Sequence, residues 1–308
     1  MRLAILDMGT NVFSLLIARV REEGYEIQEV VKIPSKIGEG GITRGLLTAE
    51  AFRSTSDAMS RVDEAIKRVG GVDKKLAIAT SAVRGASNSS DYIKIAEGHG
   101  FTVEIITGNR EAELIYKGVR ESMLLYNEVF LIMDIGGGSN EFIIADKKKI
   151  YWKESFDMGV VRVRENTPPS NPITDQEIHY LENYYRDGMK SLWEMVQQYK
   201  PTLLIGCSGS FDTLRELIYP NDDLLVPSLA MERDKMVKLH EKLLLSNREQ
   251  RATMPGMSPI RVDYIVIGSI LVNLVISTIN PQEIRQSSYS LKEGCMAEMY
   301  ESLIMKRE

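Results

Sequence analysis

The stretch that most constrains this chain is Val129–Glu141, which reads Val-Phe-Leu-Ile-Met-Asp-Ile-Gly-Gly-Gly-Ser-Asn-Glu. Five apolar residues form a buried strand that delivers Asp134, and Gly136, Gly137 and Gly138 follow almost at once. Having no Cβ, these glycines can take φ > 0 and let a ligand touch the backbone amides. Successive N–H groups in such a turn make an anion-binding concavity. Asp134 and Glu141 flank it, and two carboxylates beside a phosphate suggest a bound divalent cation. A glycine bulge in an ordinary hairpin is the plainer alternative.

The same plan occurs at the start of the chain. Leu3–Leu6 is a short apolar run into Asp7-Met8-Gly9-Thr10-Asn11, after which Val12–Val20 resumes as a strand. Glu22-Glu23-Gly24 then turns the chain into a third strand, Tyr25–Val31. Connections of hairpin length make this opening antiparallel. Later, Val129–Met133, Asp134-Ile135-Gly136 and Phe142–Ala145 repeat strand, Asp-x-Gly, strand, and Lys147-Lys148-Lys149 leads into Ile150-Tyr151-Trp152. At 308 residues the length suits two domains, which commonly run to about 100–150 residues each. One supersecondary unit per domain follows, and two such turns facing each other would make an interdomain cleft able to grip a phosphate from both sides.

Composition narrows the function classes. The chain is 44% hydrophobic and 26% charged, with a formal net charge of −5, which argues against nucleic-acid or membrane-surface binding. An anionic ligand therefore needs a local basic patch. Cys207 and Cys295, with His99, His179 and His240, show neither zinc-type nor disulfide spacing. The start, Met1-Arg2-Leu3-Ala4-Ile5-Leu6-Asp7, turns acidic too soon for a signal peptide. Tyr264–Ile279, the most apolar stretch, is broken by Gly268, Ser269 and Asn273 and falls short of the ~20 residues a membrane span needs. A cytoplasmic protein is expected.

Between the two repeats the pattern alternates. Thr48 can cap a helix to about Val69, with Phe52, Met59, Val62, Ile66 and Val69 on one face. Leu76–Ala79 is a strand leading to Thr80-Ser81-Ala82-Val83-Arg84, Asp91–Gly98 a short helix, and Val103–Ile106 another strand. Arg110–Leu125 is a helix with Asn109 as its expected N-cap and Glu111 in its first turn, where a carboxylate also suits the helix dipole. This alternation implies an α/β layout with parallel pairing added to the antiparallel opening. After a loop marked by Pro168, Pro169 and Pro172, Thr174-Asp175-Gln176-Glu177 is a capping box opening a helix to about Tyr199. Leu203–Ile205 enters Gly206-Cys207-Ser208-Gly209-Ser210, a turn that could receive a phosphate or a nucleoside, or be a tight strand–helix junction. Cys207 has no Arg placed to hold a phosphate over its sulfur, Arg215 being eight residues on, and reads as packing. The helix from Arg261 is apolar nearly all round and must be buried. Glu283–Gln286 is a strand, and Leu291 to about Lys306 a closing helix.

These residues carry a family resemblance. Asp7–Asn11, Thr80–Arg84, Gly108-Asn109-Arg110-Glu111-Ala112 and Asp134–Glu141 occur in the order and spacing of exopolyphosphatases and guanosine pentaphosphate phosphatases. Gly159-Val160-Val161-Arg162, Gly206–Ser210, Arg261-Val262-Asp263 and Ser287–Gly294 agree as well, so the likeness covers essentially the whole chain. The resemblance implies an α/β, actin-like ATPase (ribonuclease H-like) fold, duplicated, with a cleft between two domains. It places the first at 1–120, joined by a C-terminal helix at about 293–308, and the second at 121–292. Full-length relatives carry a further helical domain of the His-Asp phosphohydrolase type, and this chain looks like the short, two-domain form.

By position, the resemblance implies that Glu111 is the catalytic glutamate that activates water, and that Asp134 and Glu141 are Mg2+ ligands. It implies phosphate-binding loops at Gly9, Thr10 and Asn11 and at Gly136, Gly137, Gly138, Ser139 and Asn140, with Arg84 and Arg261 on the substrate. Thr10 stands for a usual Ser, Val12 and Asn140 for a common Ser or Thr, and Lys292 for a frequent Arg, which loses bidentate geometry. The implied reaction is release of terminal phosphate from polyphosphate, from guanosine pentaphosphate, or from both. A homodimer is left open. The rivals are a small-molecule kinase of the same superfold, with Gly206–Ser210 taking adenosine, and a guanosine tetraphosphate-binding protein without turnover.

Overall fold

The computed structural model describes residues 1–124, 127–220, 222 and 226–305. Chain contacts divide it into two units, Met1–Glu121 with Ser290–Glu308, and Ser122–Tyr289. The first holds a five-stranded sheet of β1 (Arg2–Met8), β2 (Val12–Val20), β3 (Tyr25–Pro34), β4 (Lys74–Ala79) and β5 (Thr102–Ile105), in the order β3-β2-β1-β4-β5. The second holds β6 (Phe130–Ile135), β7 (Asn140–Ala145), β8 (Ile150–Phe156), β9 (Leu203–Cys207), β10 (Ser228–Ala230) and β11 (Glu283–Ser287), in the order β8-β7-β6-β9-β11-β10.

The two sheets share one plan. In each, an antiparallel meander of three strands (β1-β2-β3, β6-β7-β8) is extended on the side of its first strand by parallel partners. Those partners are β4 and β5 in the first unit, and β9 and β11 in the second. The second sheet adds β10 antiparallel at its edge. This repeated order is the duplicated α/β, actin-like fold. The central strands are nearly continuous apolar runs because helices cover both faces of a sheet with parallel crossovers: Leu3–Leu6 and Phe130–Met133 are all buried.

Local sequence chemistry sets the helix starts. Thr48 Oγ1 accepts the Ala51 N–H (3.2 Å), opening the helix Ala49–Arg68, whose Met59, Val62 and Ile66 are buried. Thr174 and Glu177 form the expected capping box at the head of Asp175–Gly188. Helix Gly108–Ser122 begins earlier than expected, so Asn109 lies inside its first turn. The capping role falls to Thr107, whose Oγ1 accepts the Arg110 N–H (3.2 Å) and whose carbonyl accepts the Glu111 N–H (2.9 Å). The single helix expected from Thr174 to Tyr199 is two, Asp175–Gly188 and Lys190–Tyr199. It breaks where Gly188 weakens helix propensity and Met189 takes φ −118°, and the Arg186 carbonyl accepts the Trp193 indole N–H (3.1 Å).

The apolar helix starts at Ile265 rather than Arg261 and ends at Ile279, with every residue through Ile276 buried except the half-buried Asn273. No helix among the described residues is long and apolar enough to cross a membrane. The closing helix Leu291–Met305 belongs to the first unit, its Tyr300 ring edge-to-face with Tyr25. The helix ends expected at Leu125 and Lys306 lie outside the described residues.

Candidate active-site residues in the two units

In the first unit, β1 ends at Met8 and the chain turns through Gly9-Thr10-Asn11 into β2. The turn is held by its backbone: the Asn11 carbonyl accepts the Ser35 and Lys36 N–H groups (3.1 Å each), and the Thr10 carbonyl accepts that of Gly38 (3.0 Å). This buries Asn11 to 4% exposure with neither its side-chain oxygen nor its nitrogen bonded within the protein. A buried amide with both polar atoms unmet is a site prepared for a ligand or for water. β4 runs parallel beside β1 with Ala79 level with Met8, so Thr80 and Ser81 emerge beside Gly9. The short helix Ser81–Arg84 that follows ends in Arg84, whose Nη1 donates to the Ile106 carbonyl (3.0 Å) and to Glu111 Oε2 (2.9 Å). Glu111 is 7% exposed in the first turn of its helix. Arg84 and Glu111, far apart in sequence, are thus an ion pair.

In the second unit, Asp134 on β6 lies directly opposite Glu141 on β7. The register continues outward, Cys207 beside Asp134 and Ser155 beside Glu141, so four strands contribute one row, Cys207–Asp134–Glu141–Ser155. Hydroxyls bond both acids: Ser208 Oγ donates to Asp134 Oδ2 (2.6 Å), while Ser139 Oγ (2.7 Å) and Ser155 Oγ (2.6 Å) donate to Glu141 Oε1. Asp134 is 5% and Glu141 1% exposed. Cys207 is fully buried 3.4 Å from Asp134 Oδ2, and burial beside that carboxylate pushes its thiol well above the ordinary range, as suits packing and not a nucleophile.

The backbone angles of the glycine turn differ from the expected positive φ. Positive φ values among the described glycines fall at Gly24, Gly40, Gly45, Gly70, Gly71, Gly100 and Gly256, and none lies in Gly136–Gly138. The turn needs glycine for close approach instead. The carbonyls of Gly136 and Gly137 accept the Val160 (3.1 Å) and Val161 (2.8 Å) N–H groups at the start of helix Val160–Asn166, and that of Gly138 accepts from Arg162 Nε (3.1 Å). Where Gly159 passes, a Cβ would stand 2.5 Å from Gly137 and Gly138. Asn140, also fully buried, ties the turn's far end to the Met158 carbonyl (2.7 Å).

Gly206–Ser210 is a tight strand–helix junction: β9 runs to Cys207 and helix Ser208–Ile218 begins at the next residue. The space a side chain at Gly209 would take is filled by the Arg261 guanidinium. Burial lowers the Arg261 pKa, and the charges of Asp212, Asp134 and Glu216 oppose that fall. Arg261 therefore belongs to the Asp134 neighbourhood. Ser155 and Ser208 escaped the sequence reading as ligands of the acids; strand register alone shows that Ser155 must adjoin Glu141.

Among the described residues no group of three or more His, Cys, Asp or Glu side chains could hold a metal. The pair Asp134 and Glu141 fits Mg2+ nonetheless, because Mg2+ is commonly held by one or two carboxylates, with water and substrate phosphate completing the shell.

The duplicated α/β fold thus sets a polar turn after the first strand of each sheet. A sequence model of the Ppx/GppA phosphatase family matches residues 16–303, and the chain belongs to that family. It is similar to exopolyphosphatase 2 of Mycobacterium tuberculosis, 27% identical over 285 residues that cover 88% of each chain. The crystal structure of an exopolyphosphatase from Cytophaga hutchinsonii matches with a TM-score of 0.93 and 34% identity, over 98% of each chain. A family member from Aquifex aeolicus, 21% identical, matches in fold with a TM-score of 0.80 over 100% of this chain and 99% of its own.

Proposed function

We propose that this protein is an exopolyphosphatase, hydrolysing the terminal phosphoanhydride of inorganic polyphosphate, with guanosine pentaphosphate as a second substrate presenting the same bond. The observation that carries the reading is the buried pair Asp134 and Glu141 opposed across β6 and β7 beside the glycine turn. The names of the M. tuberculosis and C. hutchinsonii relatives support the substrate class.

Phosphoanhydride cleavage asks for positioning and charge neutralisation more than covalent chemistry. Thr10 and the unmet amide of Asn11 bind phosphoryl oxygens, with Gly9 leaving the backbone accessible. Ser139 and the Gly136–Gly138 backbone, held by Asn140, do the same in the second unit. Asp134 and Glu141 would hold Mg2+, which supplies positive charge to the phosphoryl oxygens. Glu111 takes the proton of the attacking water. Arg84, paired with Glu111 at 2.9 Å, and Arg261 hold the rest of the anion.

The test is phosphate release from polyphosphate, guanosine pentaphosphate and ATP, each with Mg2+ and with a chelator. Polyphosphate should be cleaved with Mg2+ and not with chelator. Glu111→Gln, which keeps size and removes the base, should lose activity by about 100-fold or more. Wild-type release by that variant would remove Glu111 from the mechanism.

A further inference from the structure

Ser208 holds a backbone conformation that its residue type disfavours. Its φ is 63°, one of four positive values at non-glycine residues among those described, and it is the first residue of the eleven-residue helix Ser208–Ile218. A side chain in that region crowds its own backbone, and glycine would sit there at less cost. Glycine lies on either side of the junction, at Gly206 and Gly209. Ser208 nonetheless carries a side chain at this position. What the structure shows is its hydroxyl, 2.6 Å from Asp134 Oδ2.

That contact closes a set. Asp134 and Glu141 face each other, and each has hydroxyl donors on one named oxygen, Ser139 and Ser155 on Glu141 Oε1 and Ser208 on Asp134 Oδ2. Ser139 reaches Glu141 from the β6–β7 turn, two residues before it, and Ser155 reaches it from β8 by strand register. Asp134 has β9 on its other side, and the row position there is occupied by Cys207, a weak donor at 3.4 Å. A strong donor can reach Asp134 from that side if the chain leaves β9 through a left-handed residue, and Ser208 does so. Strain of this kind persists where surrounding structure enforces it, commonly at functional sites.

From this geometry we infer that Ser208 is a positioning residue: it fixes the Asp134 carboxylate opposite Glu141 for a divalent cation. The inference rests on the reading of Asp134 and Glu141 as a Mg2+ pair. Donors that orient ligating carboxylates commonly account for 10–100-fold in metal affinity.

The experiment follows thermal stabilisation of the full chain by Mg2+ in the absence of substrate, for wild type and for Ser208→Ala, Ser208→Gly, Ser208→Thr and Asp134→Asn. Metal binding to the native state raises the melting temperature with a concentration dependence that reports affinity. Ser208→Ala and Ser208→Gly should need about tenfold more Mg2+ for the same shift, and Ser208→Thr about the wild-type amount. Melting without metal should follow a different order. Gly should lie above Ala because it tolerates φ 63°, and β-branched Thr should lie lowest. Affinity would thus follow the hydroxyl and stability the backbone. Wild-type affinity in both Ala and Gly variants, or affinity that simply follows melting temperature, overturns the role of Ser208 while leaving the metal pair standing. Absence of any Mg2+ effect on wild type, or an effect that survives Asp134→Asn, overturns the metal reading and this inference together.

Discussion

Asp134 and Glu141 are directly opposed on antiparallel strands, both buried, with no side chain between them in the register. Opposed Cβ atoms in such a pair lie about 5 Å apart. Two unit charges at that separation repel by about 3 kcal/mol at an effective dielectric of about 20. Arg261 offsets part of this repulsion at Asp134, and a bound cation would offset more. In chelator, Glu141→Gln is expected to melt higher than wild type, by about 1–3 kcal/mol in stability, because Gln Oε1 still accepts from Ser139 and Ser155 without the charge. In Mg2+ the order should invert, since wild type gains from binding and the variant does not. Differential scanning calorimetry in the two buffers checks both halves, and a variant that is less stable in chelator counts against charge repulsion as the governing term.

Arg84 and Glu111 offer a second measurable coupling. Glu111 is nearly buried, so removing the guanidinium takes a charged hydrogen-bond partner from it. Arg84→Ala should cost about 2–3 kcal/mol by urea denaturation. In a Glu111→Gln background the same substitution should cost about 1 kcal/mol less, because a neutral amide loses less with its partner. Additive effects would show that the pair contributes little beyond its individual packing.

Much of this was legible beforehand because it depends on local rules. The doubled strand, Asp-x-Gly, strand plan needed only hydrophobic period and turn residues, and the sheets repeat it strand for strand. Thr48 and the Thr174–Glu177 box were readable because a cap is written within four residues. What was not legible depended on contacts between distant segments. The close approach that Gly136–Gly138 allow could not be read locally, because the crowding at Gly159 comes from a helix start some twenty residues on. Thr107 displaced Asn109 as the cap because both residues can accept an N–H bond, and only the path out of β5 decides which one faces it. Ser155 and Ser208 are ordinary serines in sequence and acquire their partners through register and a left-handed turn. Arg261 could be nominated by resemblance, but its seat over Gly209 could not be foreseen from either residue alone.

His240 gives the pH dependence a definite sign. Burial lowers its pKa from 6.5 to about 4. Between those values the unfolded chain binds a proton that the fold excludes, so stability rises with pH across that window. Its contribution is present in full above about 6.5, declines as pH falls, and stops changing below about 4. His240→Gln should flatten this segment of the stability curve relative to wild type, read as urea midpoints at half-unit steps. Parallel curves for the two proteins would mean that His240 titrates equally in folded and unfolded states.

Gly118 and Gly294 mark the crossing of helices Gly108–Ser122 and Leu291–Met305, and the crossing leaves no room for a methyl group. A Cβ at Gly118 would lie 1.9 Å from the Ser290 carbonyl oxygen, and one at Gly294 would lie 1.8 Å from that of Leu114. Both obstacles are backbone, so relief requires the helices to move apart and to loosen Cys295 and Met296, which are buried on the closing helix. Gly118→Ala should therefore cost about 3 kcal/mol, at the upper end of overpacking, despite alanine's better helix propensity. Gly98 is the control. It ends the helix Ser89–Gly98 with nothing within 4 Å of its added Cβ, so Gly98→Ala should be neutral or stabilising by up to about 1 kcal/mol. Opposite signs for the same chemical change, read from paired urea melts, would place the cost in the helix crossing; equal effects would place it in backbone entropy alone.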